Sequence, residues 1–215
     1  MILKKRLLLA GAALAAAGAA SALEDGVDYH LIPDAEPPAA DAPVEITYFF
    51  NFGCPACFAF EGPLQLWQEE KQKSEQADEF RLSFVPVPWE RTSQLYAQTF
   101  YVMEGFDRLD LIRPFFDALH RERKLLNSQG RIAGWLAEQG IDEDQAEEAF
   151  ESFSVQTKVK RAQRAVAASS VESTPNLVVG GRYRLSPTLS GNYQQLLATV
   201  DELVEAIRSG TPPDG

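Results

Sequence analysis

Two thiols stand three positions apart in Cys54-Pro55-Ala56-Cys57, and they are the only cysteines in the 215-residue chain. A pair this close closes a very small loop when oxidised. It restrains the unfolded chain little, so it makes a poor stabilising staple. Structural metal sites usually take four ligands. No second Cys pair exists, and His30 and His120 are the only histidines to add, so no metal is expected. What remains is reversible thiol–disulfide exchange. That chemistry needs a thiolate, and a free Cys is mostly protonated at neutral pH. The sulfur must therefore sit where positive charge or N–H groups favour its anion. The start of a helix offers both.

The flanking residues supply such a place. Val44 to Phe52 is an apolar and aromatic run with β-branched residues at its start, read as a buried strand. Gly53 breaks it, and Pro55 is suited to the first position of a helix, where its missing N–H costs nothing. A helix is expected to run to about Lys73, kinked at Gly62-Pro63. Cys54 then lies at the helix start as the nucleophile. Cys57 lies one turn later as the resolving thiol, able to attack a mixed disulfide formed on Cys54 and release the client. Pro55 and Ala56 tune the pair: Pro55 removes one N–H donor, and Ala56 brings neither charge nor side-chain donor.

Further along, Phe80 to Val87 reads as a second strand, ended by Pro86 and Pro88. Residues 92 to about 168 are expected to be helical throughout, with Tyr96, Phe100 and Met103 on one face and Leu111, Phe115 and Leu119 on another. Helices are expected over Ile132 to Glu138, after a cap at Asp142, and over Gln156 to Ala168. Asn176 to Val179 is a compact strand, Gly180-Gly181 a hairpin turn and Arg182 to Leu185 its partner. Leu196 to Arg208 is a closing amphipathic helix. The order is strand, helix, strand, helical block, strand, strand, helix. This predicts an α/β protein: a thioredoxin-like fold with an inserted all-helical subdomain. In such a sheet the loop at Thr174-Pro175 packs beside the cysteines, and the Thr174 backbone can pair with an extended client chain. An ordinary trans proline at the start of a strand is the alternative at that position, and the commoner state of X–Pro bonds.

The ends and the charge bound the compartment and the partners. Lys4, Lys5 and Arg6, an apolar run from Leu7 to Ala20 and Ala20-Ser21-Ala22 make a three-part export signal over residues 1–22, read as cleaved. An uncleaved anchor helix is the alternative, though the run is short for a membrane span. The remaining divisions are an N-terminal arm over 23–43, a first thioredoxin-like half over 44–90, the helical insertion over 91–168, a second half over 169–208 and a flexible tail over 209–215. The signal holds three of the 20 basic residues and none of the 31 acidic ones, so the mature chain carries about −14. So acidic a chain is a poor binder of nucleic acid or anionic membrane. The basic stretch from Lys158 to Arg164 has the spacing of one solvated helix face. His30 and His120 read as structural or surface residues, the three Trp as core or groove fillers, and Glu147, Glu148 and Glu151 as another solvated face.

Two blocks resemble the DsbA family of periplasmic disulfide oxidoreductases. One is Phe49-Phe50-Asn51-Phe52-Gly53-Cys54-Pro55-Ala56-Cys57, followed by Phe60-Glu61. The other runs from Ser173-Thr174-Pro175-Asn176 through Gly180-Gly181 to Ser186-Pro187. The stretch from Gly26 to Tyr29 is similar too. The resemblance implies a periplasmic monomer without cofactor that donates its disulfide to unfolded exported clients with reduced cysteines. It implies reoxidation by a quinone-linked membrane partner of the DsbB type. It also implies an exposed nucleophile at Cys54, a buried partner at Cys57 and a cis-proline at Pro175. The sequence departs from the family pattern in having Ala56 where His is usual and Thr174 where Val is common. An ungapped match also puts Tyr48 at the place of a buried acid and Phe84 at that of its Lys partner. Ala56 points to a less oxidising pair. A reductase or isomerase shares the chemistry, but the arm is too short for the usual dimerisation domain. A copper-binding or chaperone-like module is the remaining alternative. Two thiolates suit Cu(I), yet no Met or His cluster accompanies them.

Overall fold

The computed structural model describes residues 23–213, so the export signal over 1–22 lies outside the described residues. Three early elements carry the motif. A short β1 covers His30–Leu31, β2 covers Val44–Phe50 and α1 covers Pro55–Gln72. β3 (Phe80–Pro86) returns beside β2, in parallel. Parallel neighbours need a crossover, and α1 supplies it. Five helices follow: α2 (Arg91–Gly105), α3 (Ile112–His120), α4 (Gln129–Glu138), α5 (Glu143–Glu151) and α6 (Phe153–Ala168). The chain then re-enters the sheet through β4 (Asn176–Val179) and β5 (Tyr183–Leu185), and ends with α7 (Pro187–Ser190) and α8 (Tyr193–Arg208). Among the described residues no helix is long and apolar enough to cross a membrane.

The sheet order is β1-β5-β4-β2-β3, with every pair antiparallel except β2 and β3. β2 is thus a central strand, paired on both sides, with one face buried throughout and the other buried only toward its end at Phe49. Its side chains alternate. Val44, Ile46, Tyr48 and Phe50 enter the larger core with α1, α2, α3 and α8, whereas Phe49 joins Val178, Val166 and Val171 on the opposite face. The polar residues Glu45 and Thr47 fall on that second face, and the run becomes continuously apolar only from Tyr48 onward, where both faces are covered.

The structure refines several expected boundaries. β2 stops at Phe50, two residues early, because Asn51 starts a turn. α1 continues as helix through Gly62-Pro63 and ends at Gln72. α6 and α8 begin three residues before the apolar spacing predicts. Ser152 and Asn192 cap them, and the residues that open them, Phe153 and Tyr193, are not buried. The single turn of α7, capped by Ser186, was not anticipated. Asp142 caps α5 as expected. Trp67 and Trp135 are core residues, whereas Trp89 is 48% exposed.

Candidate active site

The path from β2 into α1 sets the geometry. The Asn51 side chain accepts the Gly53 N–H at 2.8 Å, and the Cys54 N–H donates to the Asn51 carbonyl at 2.9 Å. Space is tight at Gly53: a Cβ there would lie 3.2 Å from Tyr96 Cε2 and 3.3 Å from Asn51 Oδ1, so these side chains would have to shift by a few tenths of an ångström. Cys54 is the N-cap residue of α1, with extended dihedrals (φ −86°, ψ 117°), and Pro55 occupies the first turn. The first turn of a helix leaves N–H groups without intrahelical partners. Those of Ala56 and Cys57 act on the Cys54 sulfur.

Both thiols are free, and their surroundings differ. Cys54 is partly exposed, whereas Cys57 is fully buried. The Cys57 side chain, as hydrogen-bond partner, is the largest influence on Cys54 and outweighs its partial burial. Thr174 and the two backbone N–H groups add to it, and the thiol is pushed down to about 5. Cys57 moves the other way. Burial raises it most, and the neighbouring Cys54 raises it further, so it stays protonated. One sulfur is poised as an anion and the other is held as a thiol.

The second half of the sheet closes the site. The Thr174-Pro175 bond is cis, and the Thr174 carbonyl oxygen lies 3.3 Å from Cys54 Sγ. Asn176 anchors this loop by donating from Nδ2 to the Ser173 carbonyl at 2.9 Å and to Ser173 Oγ at 3.1 Å. From α8, the Tyr193 hydroxyl donates to the Ala56 carbonyl at 2.9 Å, pinning the Pro55-Ala56 link. From α3, His120 Nε2 lies 2.7 Å from the Phe52 carbonyl and must carry the proton to bond it. The same ring lies parallel to Phe58, 4.9 Å away. Beside Cys54 opens a cleft of about 350 Å³, lined by Asn51, Gly53, Glu90, Thr92, Ser93 and Tyr96.

Beneath Cys57 lie two groups of another kind. Tyr48, fully buried on β2, faces Phe84 across the β2–β3 pair with ring centroids 5.7 Å apart. Glu61, on α1 one turn after Cys57, is only 8% exposed. Burial pushes its carboxyl up to about 7, against smaller opposing effects of Tyr48 and Arg113. The site therefore has a buried acid, carried by α1 while Tyr48 occupies the strand position. The structure thus brings Cys54, Cys57, Thr174 and Pro175 together, with Pro55 and Ala56 between the thiols. The sequence reading assigned no site role to Glu61, Tyr193 or His120. For Glu61 a signal existed: it falls in the stripe Cys57, Phe60, Leu64, Trp67, where an acid is out of place. Tyr193 and His120 gave none, since only tertiary folding brings them to the loop.

The chain is similar to known proteins in sequence and fold. The family model for the DSBA-like thioredoxin domain matches residues 64–200. A thiol:disulfide interchange protein DsbA of Bordetella parapertussis is 34% identical over 201 residues, covering 92% of this chain and 94% of the relative. The protein of the same name from Azotobacter vinelandii is 28% identical over 211 residues, covering 94% of this chain and 95% of that one. Among solved structures, Pseudomonas aeruginosa DsbA superposes with a TM-score of 0.77 at 27% identity, covering 86% of this chain and 94% of that one.

Proposed function

Because the chain belongs to the DSBA-like thioredoxin domain family and is a thiol:disulfide oxidoreductase, we propose that it donates its Cys54–Cys57 disulfide to reduced proteins after export to the periplasm. The observation that carries this is the opposite environment of the two sulfurs. A client thiolate attacks Cys54 Sγ and expels Cys57. A second client thiolate then attacks the client sulfur of the mixed disulfide and expels Cys54. The client gains a disulfide, and the pair is left reduced. Stabilising the Cys54 anion stabilises that reduced product, which makes the disulfide a stronger oxidant.

In this reading, residues 44–90 and 169–208 hold the redox machinery, and the helical insertion over 91–168 roofs it. An extended client segment pairs with the Thr174 backbone while its cysteine enters the cleft beside Cys54. The clients are unfolded exported chains, and the reoxidant is a quinone-linked membrane protein of the DsbB type. Export rests on the signal over 1–22.

The test mixes the oxidised protein with an equimolar two-cysteine reduced peptide at pH 7 and follows the peptide by mass. Near-complete peptide oxidation with concomitant reduction of Cys54 and Cys57 is expected. An equilibrium mixture holding mostly oxidised protein and reduced peptide would reverse the proposed direction.

A further inference from the structure

We propose that the cavity between α2 and the loop entering α4 is a second client subsite, which takes an uncharged polar stretch of client chain flanking the reacting cysteine and holds it by its amide groups. The proposal rests on the disulfide-donor reading and adds to it a preference among clients.

The observations begin with Gln98. It stands in the middle of α2 and is only 8% exposed, yet its carboxamide makes no hydrogen bond to another described residue. A carboxamide carries two N–H donors and a carbonyl acceptor, and buried polar groups are normally paired. Packing does not call for one here, since Leu would fill much the same volume. Gln98 lines a cavity of about 600 Å³, within the usual size range of ligand sites.

The walls are of one chemical kind. Arg91, Gln94, Leu95 and Gln98 form one stripe along α2, at helical spacing. Asn127 and Gln129 stand opposite, where the chain enters α4. Two of these amides are held from outside. Asn127 Oδ1 accepts from Arg131 at 3.0 Å, and Gln129 Nε2 donates to Glu151 at 2.9 Å. Those bonds orient the side chains and leave the Asn127 amide donors and the Gln129 carbonyl for a ligand. A carboxamide both donates and accepts, as a peptide unit does, so four of them match the amides of another chain. Arg91 adds donors for a carbonyl oxygen. No carboxylate lines the cavity, but Glu90 lines the adjoining cleft and Glu151 holds Gln129. In a chain with 31 acidic and 20 basic residues, these carboxylates disfavour an anionic ligand.

Its position identifies the ligand. Thr92 lines both this cavity and the cleft beside Cys54, so the two spaces adjoin. The wall between them is the first turn of α2, fixed by a capping box: Ser93 Oγ accepts the Glu90 N–H at 2.8 Å, and the Glu90 side chain accepts the Ser93 N–H. A client whose cysteine reacts with Cys54 thus has its neighbouring residues at Thr92. From Arg91 to Gln98 the helix rises about 10 Å, which an extended chain covers in about three residues. A polar client stretch replaces water on these amides bond for bond. An apolar one excludes the water and leaves them unpaired, and such unpaired groups are what make a polar site selective.

The experiment follows disulfide transfer from the oxidised full chain by stopped flow, as a function of peptide concentration. The reduced two-cysteine peptides share one core and carry extensions of Gln, Asn and Ser, of Leu, or of Glu at both ends, or none. The quantity read is the preference: the half-saturating concentration of the unextended peptide divided by that of an extended one. For wild type the polar extension is expected to give a preference of about tenfold, the scale set by one buried amide gaining its partners, and the Leu and Glu extensions about one. Gln98→Leu is expected to bring the polar preference to about one. A merely structural disturbance would move all peptides together and leave the ratio as it was. Gln94→Ala, at an exposed position, is expected to lower the ratio severalfold, and it decides alone should Gln98→Leu fold poorly. A wild-type polar preference near one, a ratio that the variants do not change, or an equal preference for Leu or Glu overturns the subsite. If wild type oxidises none of the peptides, the disulfide-donor reading fails instead.

Discussion

Replacing Cys54 by Ser abolishes disulfide transfer to a reduced client, with a loss of at least ~10³-fold, the scale on which a covalent nucleophile is lost. The partly exposed sulfur at the start of α1 is the one a client reaches, and its environment favours the anion. Cys57, fully buried, cannot take its place. Cys57→Ala gives a different failure. Cys54 still exchanges with an oxidised client, but no sulfur remains to resolve the product. Mixed disulfides therefore accumulate on Cys54, visible as a client-sized mass increment under non-reducing conditions. Adducts on Cys57 in the Cys54→Ser protein, formed at the wild-type rate, would reverse the two roles.

The second large effect is on pH dependence. In the reduced protein the rate of Cys54 alkylation by iodoacetamide follows the thiolate fraction and should show an inflection at about pH 5. An unfolded cysteine titrates near 8.5. A folded pKa below the unfolded one contributes stability that is complete above the unfolded value and is lost as pH falls toward the folded one. The reduced form, relative to the oxidised, should therefore weaken steadily from about pH 8.5 down to about 5. Cys57 shifts upward, so its contribution has the opposite sign and is lost only at more alkaline pH. The same numbers fix the slope of the reduction potential. Between about pH 5 and 8, reduction takes up one proton, on Cys57, so the potential should fall by about 30 mV per pH unit. Below about pH 5, two protons are taken up and the slope should double to ~60 mV. A slope of ~60 mV at pH 7 would show Cys54 to be an ordinary thiol. Chemical denaturation of the two redox forms, run in parallel across this range, checks the stability arm.

Much of this arrangement is legible in the order of residues. Gly53-Cys54-Pro55 after an apolar strand places one sulfur at a helix N-cap, and the structure shows that cap. Gly180 and Gly181 both adopt positive φ, 59° and 69°, as the turn between β4 and β5 demands. The errors have local causes. Side-chain caps at Ser152 and Asn192 start α6 and α8 three residues before the expected positions, and the caps themselves lie outside any apolar period. The Asn51 turn ends β2 although Phe52 continues the apolar run. Tertiary contacts are the larger gap. His120 reads as an isolated residue, yet it holds the Phe52 carbonyl from 68 positions away. Tyr193 reaches Ala56 across 137 positions. The ungapped match compares strand positions and sets Tyr48 at the place of a buried acid, whereas the buried acid of this site, Glu61, stands on α1. Burial in three dimensions turns Glu61 from one of 31 acidic residues into the acid beside Cys57.

The central claim is that the Cys54–Cys57 disulfide is a donor. It is tested most directly by equilibrating the purified protein with glutathione buffers at pH 7 and quantifying the disulfide by alkylation and mass. The opposed environments of the two sulfurs predict a potential well above that of thioredoxin, which lies at about −270 mV. A value at or below about −270 mV would mark the pair as a reductant and contradict the account.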